Sequence, residues 1–308
     1  MKLINTILLI LITTISGEAL AWEPTKPVMV TIAYAPGSGN EILFRKAVAI
    51  LSRKTNINFI IEFKPGANEV VGTNHFLTTA KPDGHSLFVP AIGVWIANPI
   101  WYQKILVRDV MEVVPIVSIG DTPLAVYTHS SNPISTPAEF AALLKSQKAT
   151  NIGTGSAVHA VMYQYIMKHS TNDRVERIQF NSPALVAQAV AGQMVEFGIT
   201  PLSMALEWAR SGRVRIIGAT GSNKDYAKLT TNFPGLTLIG QVGIVAAANT
   251  PTDIVNYYRQ LFNDAISTQE YRDFLNELAW AHTIPDFAAF IRDQRKQWIP
   301  IVKTLPFS

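Results

Sequence analysis

Two short stretches of this 308-residue chain have the composition of anion-binding loops: Ala35-Pro36-Gly37-Ser38-Gly39-Asn40 and Gly153-Thr154-Gly155-Ser156. Each follows an apolar run and precedes a helical pattern, so each reads as a strand-to-helix turn. The first amides of a helix have no partner within it and carry a partial positive charge, and glycine lets a ligand approach the backbone closely. In open α/β sheets such turns lie at the carboxyl ends of the strands, where ligands bind. Two of them on opposing lobes could hold a carboxylate without a salt bridge; equally, glycine-rich turns can simply connect strands to helices. A third turn, Asn181-Ser182-Pro183-Ala184, either offers polar contacts or is a plain N-cap at Asn181 or Ser182.

Other chemistry has little support. The sequence has no Gly-x-Ser-x-Gly elbow, His-Glu-x-x-His pair, Walker lysine or Gly-x-Gly-x-x-Gly after the first strand. With no cysteine, there is no disulfide framework, thiolate metal site or thiol nucleophile. The six histidines, at 75, 85, 129, 159, 169 and 282, show no metal-ligand spacing. His159 and His169 share one expected helix and lie about 15 Å apart, too far to share an ion. Ser156 with His159 is the only faint start toward a hydrolase, and a polar residue at a helix start is the simpler reading of His159. We therefore expect no metal, no cofactor and no enzyme. Basic residues are scattered and not interleaved with aromatics, so nucleic acid is not expected despite a net charge of +4. That small positive excess suits an anionic small molecule.

The elements that must position these loops are readable from the pattern. Residues 1–21 read as an export signal: Met1-Lys2, an apolar stretch from Leu3 to Ile15, and Ala19-Leu20-Ala21 before a cut after Ala21. A retained N-terminal anchor is the alternative. Removing Lys2 and Glu18 together leaves the charge at +4. No later run is long enough to span a bilayer, so the mature chain is expected to be exported and not membrane-embedded. Strands are expected at Val28–Tyr34, Phe59–Phe63, Ser86–Val89, Val113–Ile119, Leu124–Thr128, 150–153, Ile178–Phe180, Val195–Ile199 and Val214–Ala219. Helices alternate with them. Asn40 is the expected N-cap of the first, and Thr136-Pro137-Ala138-Glu139 opens another with a capping box. Val158, Val161, Met162, Tyr165 and Ile166 form one helical stripe, and three helices close the chain between Thr252 and Lys303. The succession is that of an α/β protein with largely parallel sheets, and the length suggests two domains.

Several segments, taken in order, resemble the receptors of the tripartite tricarboxylate transporters, the Bug family. They are Lys26-Pro27-Val28, Pro36-Gly37-Ser38-Gly39-Asn40-Glu41 with Arg45, Glu62-Phe63-Lys64-Pro65-Gly66-Ala67 and Lys81-Pro82-Asp83-Gly84-His85-Ser86-Leu87. Then come Val114-Pro115-Ile116, Gly153-Thr154-Gly155-Ser156 with His159, Phe180-Asn181-Ser182-Pro183-Ala184, and Gly192-Gln193-Met194-Val195. The resemblance implies a periplasmic binding protein of type II-like fold, with two α/β lobes, mainly parallel sheets and two crossover segments. It places one lobe at 22–122 with 243–308 and the other at 123–242. It further implies a monomer that closes on a small carboxylate and delivers it to a membrane permease of the same transporter type. A sensor feeding a membrane histidine kinase, or an exported hydrolase on the same scaffold, are the alternatives. Carried over by motif, the ligand-binding residues are Tyr34, Pro36, Gly37, Ser38, Gly39 and Asn40 in the first loop. The second loop supplies Thr154, Gly155, Ser156 and His159, and the third Asn181 and Ser182.

The chain departs from the family pattern at named places. Ser38 interrupts the first glycines, Glu41 stands where an Asp is usual, and Asn68-Glu69 replaces two glycines. Phe180-Asn181-Ser182 replaces an aromatic or lysine-containing turn. Glu41 or Glu69 in the cleft would repel an anion or pair with the ammonium of an amino-acid-like ligand. The plain alternative for Glu41 is an acid in the first turn of a helix.

Overall fold

The apolar run Val28–Ile32 forms β1 and is buried at every position but Met29. The turn that follows leads into α1 (Gly39–Leu51), whose Leu43, Phe44, Ala47 and Ile50 close over the strand. Each large apolar side chain buried in this way contributes about 1.5–3 kcal/mol. The N-cap is Ser38, two residues before the expected Asn40; its extended backbone lets its hydroxyl accept the Glu41 amide. Then come β2 (Phe59–Phe63), α2 (Val70–Thr79), β3 (Ser86–Phe88) and two single-turn helices, α3 (Gly93–Ile96) and α4 (Asn98–Trp101). This computed structural model describes residues 22–221 and 225–304. The expected export signal at 1–21, with its cut after Ala21, lies outside the described residues.

A single strand, β4 (Val113–His129), runs where two were expected. The breaker-like Gly120-Asp121-Thr122-Pro123 stays in the ladder because register shifts between Pro115 and Val117 and between Ser118 and Gly120 absorb the mismatch. Beyond it lie α5 (Pro137–Leu143), β5 (Thr150–Thr154), α6 (Ala157–Met167), β6 (Val175–Gln179), α7 (Pro183–Ala191), β7 (Phe197–Pro201), α8 (Leu202–Arg210) and β8 (Val214–Ala219). The chain then returns through β9 (Ile239–Ala247) to α9 (Thr252–Ile266), α10 (Gln269–Glu277) and α11 (Phe287–Val302). The capping box of α5 forms as expected, with Thr136 and Glu139 each accepting the other's backbone amide.

Pairing is parallel in the outer strands and antiparallel at the centre. β2, β1 and β3 are parallel, as are β6, β5 and β7. β9 enters antiparallel between β3 and β4, while β4 pairs antiparallel with β7 and β8. The sheet is thus more mixed than strand-helix alternation suggests. β9 is a strand that the sequence pattern did not reveal, because Gly240-Gln241-Val242-Gly243 breaks both alternation and apolar continuity. Gly243 is needed because a Cβ there would lie 2.2 Å from the Phe287 ring of α11. β4 pairs with β9 as far as Pro123 and with β7 and β8 from Leu124 onward, so it passes from one set of strands to the other. Helix α11 spans both sides: Arg295 donates to the Trp95 carbonyl of α3, and Trp298 packs edge-on to Tyr165 of α6.

Candidate functional site

The first loop sits at the end of β1, and its tip is exposed: Pro36, Gly37 and Gly39 face solvent and Ser38 is half-buried. Gly37 has φ +83°, a conformation that glycine adopts without strain. Its N–H donates to Glu41 Oε2 at 2.6 Å, while Arg45 Nε donates to Glu41 Oε1 at 2.6 Å. The first-turn acid of α1 therefore fills the amide that the loop was expected to offer. Asn40 is buried, and its Nδ2 donates to the Val89 carbonyl at 2.8 Å, tying the helix start to the end of β3. Gly39 lies under the Trp280 indole, with its Cβ position 3.3 Å from the ring. Trp280 Nε1 in turn donates to Ser203 Oγ at 3.0 Å, at the start of α8.

The second loop is buried throughout, from Thr154 to His159. Ser156 caps α6, accepting the His159 amide at 3.5 Å. His159 Nδ1 accepts the Gly155 N–H at 3.4 Å, which leaves the proton of the neutral ring on Nε2. Burial pushes His159 down to about 3, so the ring stays neutral. The Ser156 hydroxyl meets the His159 backbone rather than its ring, which is not a nucleophile-base pair. The first i→i−4 bond of α6 is donated by Ala160, so Ala157 and Val158 have no partner for their amides within the helix. Thr154 Oγ1 donates to Gln179 Oε1 and accepts from Arg177 Nη1, both at 3.2 Å. Arg177 Nε is buried without a partner, and desolvation lowers the guanidinium from its usual value.

The third loop packs against the second. A Cβ on Gly155 would lie 2.6 Å from the backbone of Ser182 and Pro183. Ser182 caps α7 through the Leu185 amide at 3.3 Å, and Asn181 is exposed. Ser182 thus takes the plain capping role.

Gly93 is where α3 meets the start of α6 and Glu69. Its Cβ position is 3.4 Å from Ala157 Cβ, 3.6 Å from the Val158 nitrogen and 3.8 Å from Glu69 Oε1. Tyr34, from the first loop, reaches this point through its hydroxyl, which donates to Glu69 Oε1 at 2.8 Å. Ala91 N–H donates to Glu69 Oε2 at 2.9 Å. Glu69 is 3% exposed, and burial pushes its carboxyl up to about 8, against the lowering effect of these two hydrogen bonds. Burial first, then the nearby Glu69 carboxyl through its charge and hydrogen bond, raises the Tyr34 phenol well above its usual value. Of the expected residues, then, Tyr34 is tied to Glu69, whereas at the exposed tip Gly39 lies against Trp280 and Gly37 has no atom within 4 Å of its Cβ position. Gly93, Trp280, Ser203 and Arg177 carried no motif that singled them out. Glu69 was marked by replacing a glycine. Among the described residues no group of three or more His, Asp or Glu is arranged to hold a metal ion, and no helix is long and apolar enough to cross a membrane.

Comparison with known proteins identifies the fold and the family. Protein BugT of Bordetella pertussis is 20% identical over 300 residues, covering 91% of this chain and 89% of its own. The fold matches MatC of Rhodopseudomonas palustris, a structure with bound malate, at a TM-score of 0.79 and 19% identity over 91% of this chain and all of the other. It also matches Rpa4515 of R. palustris, a structure with adipate, at a TM-score of 0.81 and 15% identity over 92% and 98% of the two chains. The fold is that of the periplasmic binding proteins, α/β with a mixed sheet. The family model described as the tripartite tricarboxylate transporter family receptor matches residues 43–307, and the chain belongs to that family, with relatives in its Bug group.

Proposed function

We propose that the protein is a periplasmic receptor that closes on a small carboxylate and hands it to a tripartite tricarboxylate-type permease. It acts as a monomer, after loss of residues 1–21, and without catalysis. The carrying observation is the meeting at Gly93: the Val158 nitrogen, in the first turn of α6, and Glu69 Oε1, held by Tyr34 and Ala91, both lie within 4 Å of its Cβ position. The lobes would be 22–122 with 243–308 and 123–242, in keeping with β4 changing partners between Pro123 and Leu124. Opening about the strands that join them would admit a ligand, and contacts to both sides would favour closure. Its carboxylate would lie against Ala157 and Val158, with Thr154, Ser156 and His159 shaping that side and Tyr34 the other. Pro36, Gly37, Ser38, Gly39 and Asn40 form the rim near Trp280, and Gly155, Asn181 and Ser182 support the second loop. The ligands in the two R. palustris structures, malate and adipate, belong to the proposed class.

Titration calorimetry of the mature chain against mono-, di- and tricarboxylates and their amino derivatives tests this reading. One equivalent should bind without turnover, and the melting temperature should rise with ligand, since about 4 kcal/mol is added at a thousandfold excess over Kd. If no acid in the panel binds or shifts the melting curve, the proposal is wrong. Turnover of a carboxylate ester that Ser156→Ala abolishes would instead establish an enzyme.

A further inference from the structure

Glu69 is placed at a cost that nothing else in the molecule offsets. Its carboxyl is buried, yet its partners are a phenol and a backbone amide, and among the described residues no Lys, Arg or His pairs with it. A buried carboxylate without a cation is strongly unfavourable, so Glu69 keeps its proton at neutral pH in the ligand-free protein. The backbone leading to it is held in the left-handed region at three successive non-glycine residues: Ala67 (φ +46°), Asn68 (+50°) and Glu69 (+75°). Each such residue costs on the order of 1 kcal/mol. The conformation is fixed from outside: Asn98 Nδ2 donates to the Asn68 carbonyl at 2.8 Å, and Asn68 Nδ2 donates to the Tyr102 hydroxyl at 2.6 Å. Tyr34, Ala91, Asn98 and Tyr102 thus hold the segment that places the buried Glu69 carboxyl beside Gly93.

We infer that Glu69 sets the charge of the ligand, and that the cleft takes an α-amino carboxylate with its ammonium against Glu69 and its carboxylate at the first amides of α6. The inference rests on the carboxylate-receptor reading above. Glu69 Oε1 and the Val158 nitrogen both lie within 4 Å of one point above Gly93. Hydrogen bonds of about 3 Å at each end leave at most about 1.5 Å along a straight line between those atoms, so only a bent bridge with a short charge separation fits. That matches an amine on the carbon next to the carboxylate and excludes one at the far end of a long chain. An ammonium beside Glu69 would favour its ionised form, whereas a plain dicarboxylate offers no cation that lets this buried carboxyl ionise. Ionised beside an ammonium, each Glu69 oxygen accepts one hydrogen bond and retains a lone pair for that ammonium.

Calorimetry with matched acids tests the assignment: L-alanine and propionate, L-aspartate and succinate, L-glutamate and glutarate, L-phenylalanine and 3-phenylpropionate. In at least one pair the wild-type chain should bind the amino member tenfold or more tightly than its partner. Glu69→Gln, which keeps the shape, should erase that preference. Glu69→Gly, which relieves the left-handed strain, should do the same while raising the melting temperature. Equal or tighter binding of the desamino acids by the wild type overturns the role of Glu69 and leaves a carboxylate receptor standing, as does an amino preference that survives in both variants. Absence of binding by all eight acids to the wild type and both variants overturns the receptor reading, and this inference with it.

Discussion

The two glycine-rich loops look alike in sequence and differ in what their amides do. At the first, the Gly37 N–H is already bound to Glu41 of the same helix, and the tip faces solvent. At the second, the loop is buried, its glycine amide is met by a neutral histidine, and the Val158 nitrogen of the first helical turn lies 3.6 Å from the Cβ position of Gly93 on α3. Glycine and hydroxyl content marks where an anion could approach. Whether an amide is open to it depends on the acid four residues later, and on what the fold brings opposite.

The largest test of this contrast is steric. Gly155→Val places side-chain atoms in the Ser182–Pro183 backbone, where even a Cβ would sit at 2.6 Å. We expect a loss of about 3 kcal/mol or more, read as a fall in melting temperature of roughly 6 °C or more, with binding lost too. A normal melting curve would show that the second loop is not packed as described. At the first loop, Gly37→Ala meets no atom within 4 Å and only its φ of +83° opposes it. That change should cost about 1 kcal/mol.

Next in size is the pH profile of stability. Glu69 ionises near 8 in the folded chain instead of 4.5, so the folded state holds the extra proton and stability falls as pH rises from 4.5 to 8. His159 ionises near 3 instead of 6.5, so its contribution is complete above 6.5 and is lost as pH falls toward 3. Each slope is about 1.4 kcal/mol per pH unit, and between pH 4.5 and 6.5 they oppose each other. Chemical denaturation should therefore give a plateau there, with stability falling on both sides. In Glu69→Gln the curve should instead climb to pH 6.5 and stay level above it. An unchanged profile in that variant would show that Glu69 is not buried as an acid.

The smallest effect concerns the acid that fills the first loop. Glu41→Ala removes the partner of the Gly37 amide and the ion pair to the exposed Arg45, with an expected loss of about 1 kcal/mol by urea denaturation. If the Gly37 amide then becomes available to an anion at the rim, affinity for carboxylates should rise severalfold. Weaker binding would instead give Glu41 a part in holding the ligand.

Much of the scaffold was legible because local chemistry agrees with the fold. The Thr136–Glu139 capping box, the stripe from Val158 to Ile166 and the amphipathic closing helices all formed where patterning placed them. What escaped is set by partners distant in sequence. β9 is recognisable only once β3 and β4 flank it, and Gly243 follows from the position of Phe287. The two strands read within 113–128 are one, since register shifts let a breaker-like segment stay paired. At the site, the turns were visible as turns, but the meeting of Glu69, Gly93 and Val158 joins segments remote in the chain, and no spacing rule encodes it.

The central claim is that the first amides of α6 hold the ligand's carboxylate across the cleft. Amide NMR spectra recorded while a binding carboxylate or amino acid is titrated in test it most directly. The account predicts that the Ala157 and Val158 proton resonances move downfield and saturate at one equivalent, while that of Gly37 stays near its free position. Saturable binding that leaves Ala157 and Val158 unmoved would contradict it.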